Sequence, residues 1–247
     1  MSNTAILIWK GVGVSIVFAL LVTAVAWGYR MKPTDVPCRS LSYDIADREQ
    51  RLYLTEIELT QLLKAEGLYP VGKTLDKGSL HRIERTISSH PMVRTAQCYV
   101  TPRHEVHIRL TQRVPLLRVE RADGAFFIDT DRRVMPIRPS VRDRVLLATG
   151  AVGVQTATTQ LADFAEWVQQ NPYWQQRIDH VFIQSPQMVI VCLRNNQPRV
   201  KMGAMRGFER KLAKLRVFLE NGAEATKDKQ YTELDVRFRG QVIGRYN

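Results

Sequence analysis

The alternation of apolar and polar positions divides the chain into three unequal parts, and the first is an uncharged run. Gly11–Tyr29 holds nineteen residues without a charged side chain. At 1.5 Å per residue, a run of about 20 apolar residues crosses the hydrocarbon layer of a bilayer. Trp27 and Tyr29 stand at its end, as aromatic residues do at a membrane surface. The pattern predicts a transmembrane helix at 11–29, between a short tail at 1–10 and a linker at 30–37.

A cleaved signal peptide is the alternative for this segment. Ala24-Val25-Ala26 has the small-x-small spacing that a signal peptidase reads. The apolar run continues beyond Ala26 and ends in aromatic residues, which favours a retained anchor. Either alternative sends the rest of the chain across a membrane. We expect a single-pass protein with its N-terminus in the cytoplasm and its bulk outside, although positive charges counted alone favour the opposite orientation.

Residues 38–113 read as a small α+β domain. A short strand pattern at 39–45 is followed by a helix that opens at Thr55, where Glu58 completes a capping box. Leu80, Ile83 and Ile87 then mark a second helix. Two alternating strand patterns close the unit, so the predicted order is strand–helix–helix–strand–strand.

Residues 114–247 predict a mainly antiparallel β-rich domain with two helices. The helical stripes occupy 161–168 and 208–219. Five strand patterns are Ala125–Ile128, Val145–Ala148, Ile178–Ile183, Met188–Leu193 and Val200–Met202. A last strand is predicted at Tyr231–Phe238, followed by a turn at Gly240 and a further extended stretch at Gln241–Ile243.

Composition narrows the possible partners. Apolar residues make up 45% of the chain and the net charge is +12, which together indicate a folded body with a basic surface. Export across a membrane excludes nucleic acid as a partner, and the basic residues form no long block. Three cysteines are too few for a disulfide framework, and a Cys38–Cys98 bridge stays open at this point.

Residues suited to catalysis or metal binding do not form a convincing group. His104 and His107 would point to opposite faces of a strand and could not share a metal ion. Asp129 and Asp131 could act as paired carboxylates, but turn formation is their ordinary role. We therefore predict no catalytic residue, no cofactor and no metal, and a protein that is not an enzyme.

Four local motifs, in their order and spacing, resemble the FtsQ/DivIB family of bacterial cell-division proteins. They are His90–Val93, Gln112–Pro115, the pair Phe126–Asp129 with Arg133–Pro136, and Tyr231–Gly240. The plan of one span, a POTRA-like domain and a β-rich domain is similar as well. The chain departs from the family pattern at Met92, where an aromatic residue is common, and at Arg132 or Arg133, where the turn usually has glycine.

The resemblance implies a non-enzymatic scaffold of the divisome. It implies binding to two membrane-anchored partners, FtsB and FtsL, and through them an influence on the septal peptidoglycan synthases. It also implies a place in the cytoplasmic (inner) membrane at the division septum. The alternatives are another membrane-tethered POTRA protein with a protein-binding or chaperone-like role and, if the N-terminal segment is cleaved, a secreted enzyme.

The residues of the predicted last strand indicate how a partner would bind. A strand near the end of the chain is expected at a sheet edge, where a partner segment can pair with its free backbone groups. The predicted partner-binding residues are Leu234, Val236, Arg237, Phe238, Gly240 and Val242. Phe238 is the strongest candidate because buried aromatic residues dominate interface energies, and Arg237 could meet an acidic group. The alternative is that Leu234, Val236 and Phe238 face this domain's own core.

Overall fold

A computed structural model describes most of the chain after the predicted span. The predicted tail, the predicted transmembrane helix at 11–29 and most of the predicted linker lie outside the described residues. None of the helices in the described part is both long and apolar enough to cross a membrane. The described ranges are 36–49, 53–141, 144–195, 197–222 and 231–246.

The first domain is a three-stranded sheet packed against two helices, in the predicted order. Its sheet has the order β1–β3–β2, with β1 parallel and β2 antiparallel to the central strand. Apolar residues of both helices and of β3 form one core with the inner side of the sheet. The elements are β1 (Ser40–Ile45), α1 (Glu56–Ala65), α2 (Lys77–Ser88), β2 (Val93–Val100) and β3 (Glu105–Gln112).

Helix α1 begins as the sequence predicts, but only half of the capping box forms. The Thr55 hydroxyl accepts a hydrogen bond from the Glu58 amide at 3.2 Å. The Glu58 carboxylate accepts instead from Arg138, at 2.6 Å, and lies 3.6 Å from His90. Glu58 therefore links the first domain to a loop of the second, which local sequence rules could not reveal.

The second domain is a nine-stranded mixed sheet. Its order is β12–β11–β10–β9–β8–β7–β4–β5–β6. Three of the neighbouring pairs are parallel, namely β4–β7, β7–β8 and β10–β11, so the predicted antiparallel character holds only in part. The strands are β4 (Pro115–Arg121), β5 (Gly124–Asp129), β6 (Val134–Pro136), β7 (Leu146–Gly150), β8 (Ile178–Ser185), β9 (Met188–Leu193), β10 (Arg199–Gly203), β11 (Tyr231–Asp235) and β12 (Ile243–Tyr246).

Helical segments connect two of the three parallel pairs, β7–β8 and β10–β11, whereas β5 and β6 lie between β4 and β7. The two predicted helices correspond to α3 and α5, and α4 is an additional short helix. Phe208 of α5 packs edge-on against Phe164 of α3, with ring centroids 5.1 Å apart, so the helices share one core on one face of the sheet. The bounds are α3 (Ala162–Gln170), α4 (Pro172–Arg177) and α5 (Phe208–Val217); Val154–Thr156 and a π-helical turn at Ala157–Leu161 precede α3, and a second π-helical turn, Phe218–Gly222, follows α5.

The two domains are joined by a buried ion pair and a shared core. Arg113 donates to the Asp129 carboxylate at 2.6 Å, and their side chains are only 7% and 1% exposed. Phe127 and Met135 of the second domain pack into the core of the first. Asp131 forms an exposed pair with Arg94 at 2.7 Å. The two aspartates that the sequence offered as paired carboxylates are thus each committed to an arginine.

The β5–β6 turn explains one departure from the family pattern. Arg132 has a φ of 65°, the left-handed conformation that glycine adopts most easily. Its guanidinium contacts Asp163 at 3.0 Å and Glu166 at 2.5 Å, which ties the turn to α3. Of the two arginines, Arg132 therefore has the backbone conformation that glycine adopts most easily.

Replacing Asp129 with alanine should strongly destabilise the protein. The change leaves the Arg113 guanidinium buried without its partner, which typically costs about 3–5 kcal/mol. Asp131→Ala is the matched control, because the exposed Arg94–Asp131 pair should contribute at most about 1 kcal/mol. Urea unfolding of both variants measures the difference. Equal losses of unfolding free energy in the two variants would contradict a special role for the buried pair.

The three cysteines are unpaired thiols, so the Cys38–Cys98 bridge is not formed in the structure. Cys98 lies half-buried on β2. Burial, and then the nearby Glu84 carboxylate, raise the pKa of its thiol to about 12. The thiolate is the reactive form, so Cys98 should be inert at neutral pH.

Cys98 should therefore alkylate far more slowly in the folded protein than in the unfolded chain. A pKa three units above the ordinary value lowers the thiolate fraction about a thousandfold. Iodoacetamide labelling at pH 8, read peptide by peptide in a mass spectrometer with and without urea, measures both rates. A folded-state rate equal to the unfolded one would show that the thiol is not protected.

Candidate partner-binding site

The predicted last strand is not an edge strand. β11 lies between two strands of the same chain: Leu234 pairs in parallel with Val200 of β10 and in antiparallel fashion with Gly244 of β12. The prediction of an edge at Tyr231–Phe238 is therefore wrong. The chain leaves β11 after Asp235, turns and folds back as a hairpin, so the edge strand on this side of the sheet is β12.

The structure separates the predicted partner-binding residues into two groups. Leu234 and Val236 are fully buried in the core of the second domain, as the alternative of an inward-facing strand expected. Val242 is half-buried against the same core. Phe238 lies in the turn after β11 and is 45% exposed. Gly240 lies in the same turn with a φ of 72°, a conformation that strains most other residues.

Arg237 is exposed but already has a carboxylate partner. Its Nε and one terminal nitrogen, Nη2, donate to the Asp235 carboxylate at distances of 2.6 to 3.0 Å. Partial burial acts against ionisation of Asp235, yet the hydrogen bonds from Arg237 keep the pKa of this carboxyl below its ordinary value. The aliphatic part of Arg237 crosses Gly203, where an added Cβ would lie only 3.0 Å from it. Arg237 is thus a fixed part of the surface.

A groove of about 530 Å³ lies between α5 and the turn after β11. We call it the basic groove. Six of its ten lining residues are lysine or arginine, and no acidic residue lines it. The lining residues are Arg206, Gly207, Arg210, Lys211, Lys214, Val236, Arg237, Phe238, Arg239 and Gly240.

The two lysines of the basic groove bind backbone carbonyls. Lys211 Nζ donates to the carbonyl oxygens of Met202 at 3.0 Å and Ala204 at 2.6 Å. Lys214 Nζ donates to those of Val236, at 3.0 Å, and Phe238. Burial lowers the pKa of both amines, and in Lys211 the neighbouring Lys214 lowers it further.

The arginines at the rim of the groove differ from the lysines. Arg206, Arg210 and Arg239 form no ion pair with any residue in the described ranges. The sequence showed these basic positions, and the spacing of Arg210 and Lys214 places both on one face of a helix. The sequence did not show which strand ends this face of the helix would pack against, so it did not predict the groove.

Strand β12 begins three residues after the turn that lines the groove, and it exposes apolar side chains. It pairs on one side with β11, and Ile243 and Tyr246 are both exposed. An edge strand carries a row of outward-facing N–H and C=O groups that can pair with another chain. Gly244 permits its close packing, since a Cβ there would lie 2.2 Å from the ring of Tyr231.

Two of the three other sheet edges in the described part of the chain are less suited to strand addition. At the far end of the nine-stranded sheet, β6 has three residues and ends in Pro136, which has no N–H to donate. At the β2 edge of the first domain, the Glu84 carboxylate already accepts the Cys98 amide at 3.0 Å. The β12 edge has no further strand beside it within the described ranges and begins three residues after the turn that lines the charged groove, which makes it the candidate site.

Comparison with known proteins gives the chain its family. A family model described as "FtsQ/DivIB, C-terminal related" matches residues 114–245, and a POTRA-like domain model matches residues 36–111. No curated protein matches the chain. The first match covers more than half of the 247 residues and contains the basic groove and all of β12 except Tyr246. The chain therefore belongs to the family described as FtsQ/DivIB, C-terminal related, and carries a POTRA-like domain ahead of the family domain.

Proposed function

We propose that this protein is a non-enzymatic, membrane-anchored scaffold of the bacterial divisome. In this role it binds small FtsB- and FtsL-type division proteins and helps to control septal peptidoglycan synthesis. The family and the POTRA-like domain support a divisome-related protein-binding scaffold. The observation that carries the finer proposal is the position of β12, an edge strand in the described ranges that begins three residues after the turn lining the basic groove.

The proposed binding mode is strand addition to β12. An extended partner segment would pair with the outward-facing backbone groups of β12 at Ile243–Arg245. Backbone hydrogen bonds would provide affinity for any extended segment. Selectivity would come from exposed apolar side chains near the edge, above all Phe238 and Ile243.

The charge of the site supports an acidic partner. Three rim arginines of the basic groove are unpaired in the described ranges, and the Arg245 side chain on β12 is 75% exposed. A second copy of this chain would bring the same basic surface to the edge, and the net charge of +12 opposes that pairing. A partner segment with carboxylates next to its added strand would complement the groove.

The proposed topology follows from the family and the apolar N-terminal run. Residues 11–29 would anchor the chain in the cytoplasmic membrane, with residues 1–10 in the cytoplasm and residues 30–37 as a linker. The POTRA-like domain at 38–113 and the partner-binding domain at 114–247 would then lie outside the cytoplasm. This places β12 where membrane-anchored division partners can reach it.

Replacing Phe238 with glutamate should weaken partner binding about tenfold or more, because the change places a charge in the centre of the proposed contact. Val217→Glu is the matched control: Val217 is also apolar and is 60% exposed, on α5, but does not line the groove. Both changes shift the net charge equally. Titration of the folded variants with the extracytoplasmic part of the FtsB-type protein from the same organism measures the affinities.

The comparison between the two variants decides the proposal. We expect Val217→Glu to bind within about twofold of the unmodified protein, since surface changes away from an interface have small effects. Undiminished binding by Phe238→Glu, with its melting temperature retained, would contradict the proposed site. Equal weakening by both variants would assign the effect to net charge and not to the contact.

A further inference from the structure

We propose that Lys211 and Lys214 form a carbonyl clamp that shapes the basic groove, and that Lys214 is a positioning residue for the partner-binding turn. The turn consists of residues 236–240. This inference rests on the proposed function for its effect on binding, but the clamp itself is a property of the protein alone. It divides the basic residues of the groove into those that build the site and those that meet the partner.

The clamp follows from the parallel pairing of two strands. Because β10 and β11 are parallel, their C-terminal ends lie at the same end of the sheet. The last backbone bond between them runs from the Val236 amide to the Lys201 carbonyl, at 3.1 Å. Beyond that bond the two chains diverge. Their next carbonyl groups lie outside the pairing of these two strands and can accept from other donors.

The two lysines supply those donors. They lie three residues apart on α5, and therefore on the same face of the helix. Lys211 binds the carbonyls that follow β10, and Lys214 binds the carbonyls of Val236 and Phe238, which follow β11. An ammonium group has three donors, and two are used here by each lysine. Both ammonium groups therefore bind carbonyl groups of this protein's own backbone.

The clamp holds the turn that presents the candidate contact residues. The carbonyl oxygen of Phe238 accepts a hydrogen bond from Lys214, while the side chain of Phe238 is exposed. Arg237, between the two clamped carbonyls, is bound to Asp235 and crosses Gly203. Lys214 thus holds the turn through its backbone, and Arg237 holds it through a side chain. A turn that is already ordered loses less conformational entropy when a partner binds.

The remaining arginines have a different role. Arg206, Arg210 and Arg239 line the same groove but have no carboxylate partner within the described ranges. Exposed charges of this kind speed the association with an oppositely charged partner and make binding depend on the salt concentration. We therefore assign the electrostatic attraction of an acidic partner to these arginines and the shape of the site to the lysines.

The first test uses the protein alone. Lys214→Met keeps the apolar stem of the side chain and removes the donors. Amide hydrogen exchange at 236–240 should become about tenfold faster or more, while exchange in the first domain and the melting temperature change little. Arg216→Met is the control, because Arg216 lies on the same helix but pairs with Glu220. Lys214→Arg should recover part of the protection. Unchanged exchange in Lys214→Met would overturn the clamp.

The second test measures the binding of the FtsB-type extracytoplasmic segment at several salt concentrations. Lys214→Met should lower affinity about tenfold at every salt concentration, leaving the salt dependence as in the unmodified protein. Arg239→Met should instead make binding less dependent on salt and leave exchange at residues 236–238 and 240 unchanged. A reduced salt dependence in Lys214→Met would overturn the positioning role, because the lysine would then contact the partner itself.

The two tests separate this inference from the proposed function. If the unmodified protein does not bind the FtsB-type segment, the proposed function fails. The exchange measurement still decides whether Lys214 holds the turn. If binding occurs and Lys214→Met has normal exchange and normal affinity, the clamp fails and the proposed function stands.

Discussion

The parallel pairing of β10 and β11 is the constraint on which the partner-binding site depends. It requires a crossover connection, and the described part of that connection is α5. It brings the ends of both strands to one side of the sheet, where the lysines of α5 bind their diverging carbonyls. It also leaves β11 with a free side, which the chain fills by folding back as β12. The basic groove and the exposed edge are neighbours for this one reason.

The charges of this basic protein fall into two populations with different physical roles. Some are paired inside the structure, such as Arg113 with Asp129 at the domain junction. Removing both charges from water is costly, so a buried ion pair adds little net stability. Losing one partner is strongly destabilising, because the other charge then stays buried without compensation. Others, including Arg210 and Arg239, lie exposed without a partner in the described ranges. The sequence reports only the sum of +12 and not this division.

Local features of the chain were predictable because local physics determines them. The cap at Thr55, the second helix of the first domain, the strand β8 and the continuous apolar run of β9 follow from hydrogen bonding and from the pattern of apolar side chains. The position of β11 did not follow, because strand order depends on partners distant in the chain. The extended stretch predicted at Gln241–Ile243 overlaps β12 only at Ile243. The rest of β12 is short and contains Gly244, which is required there by the ring of Tyr231, a residue distant in the chain. The alternating pattern at Tyr231–Phe238 correctly predicts a strand at Leu234, but this strand ends at Asp235 and is not an edge.

The central claim is that a partner adds a strand to β12. Amide hydrogen exchange of the free protein and of its complex with the FtsB-type segment tests it most directly. Strand addition predicts strong new protection of amides within Ile243–Tyr246 on binding, and no new protection of β6 at the opposite edge. A saturated complex in which the amides of β12 exchange as fast as in the free protein would contradict the account.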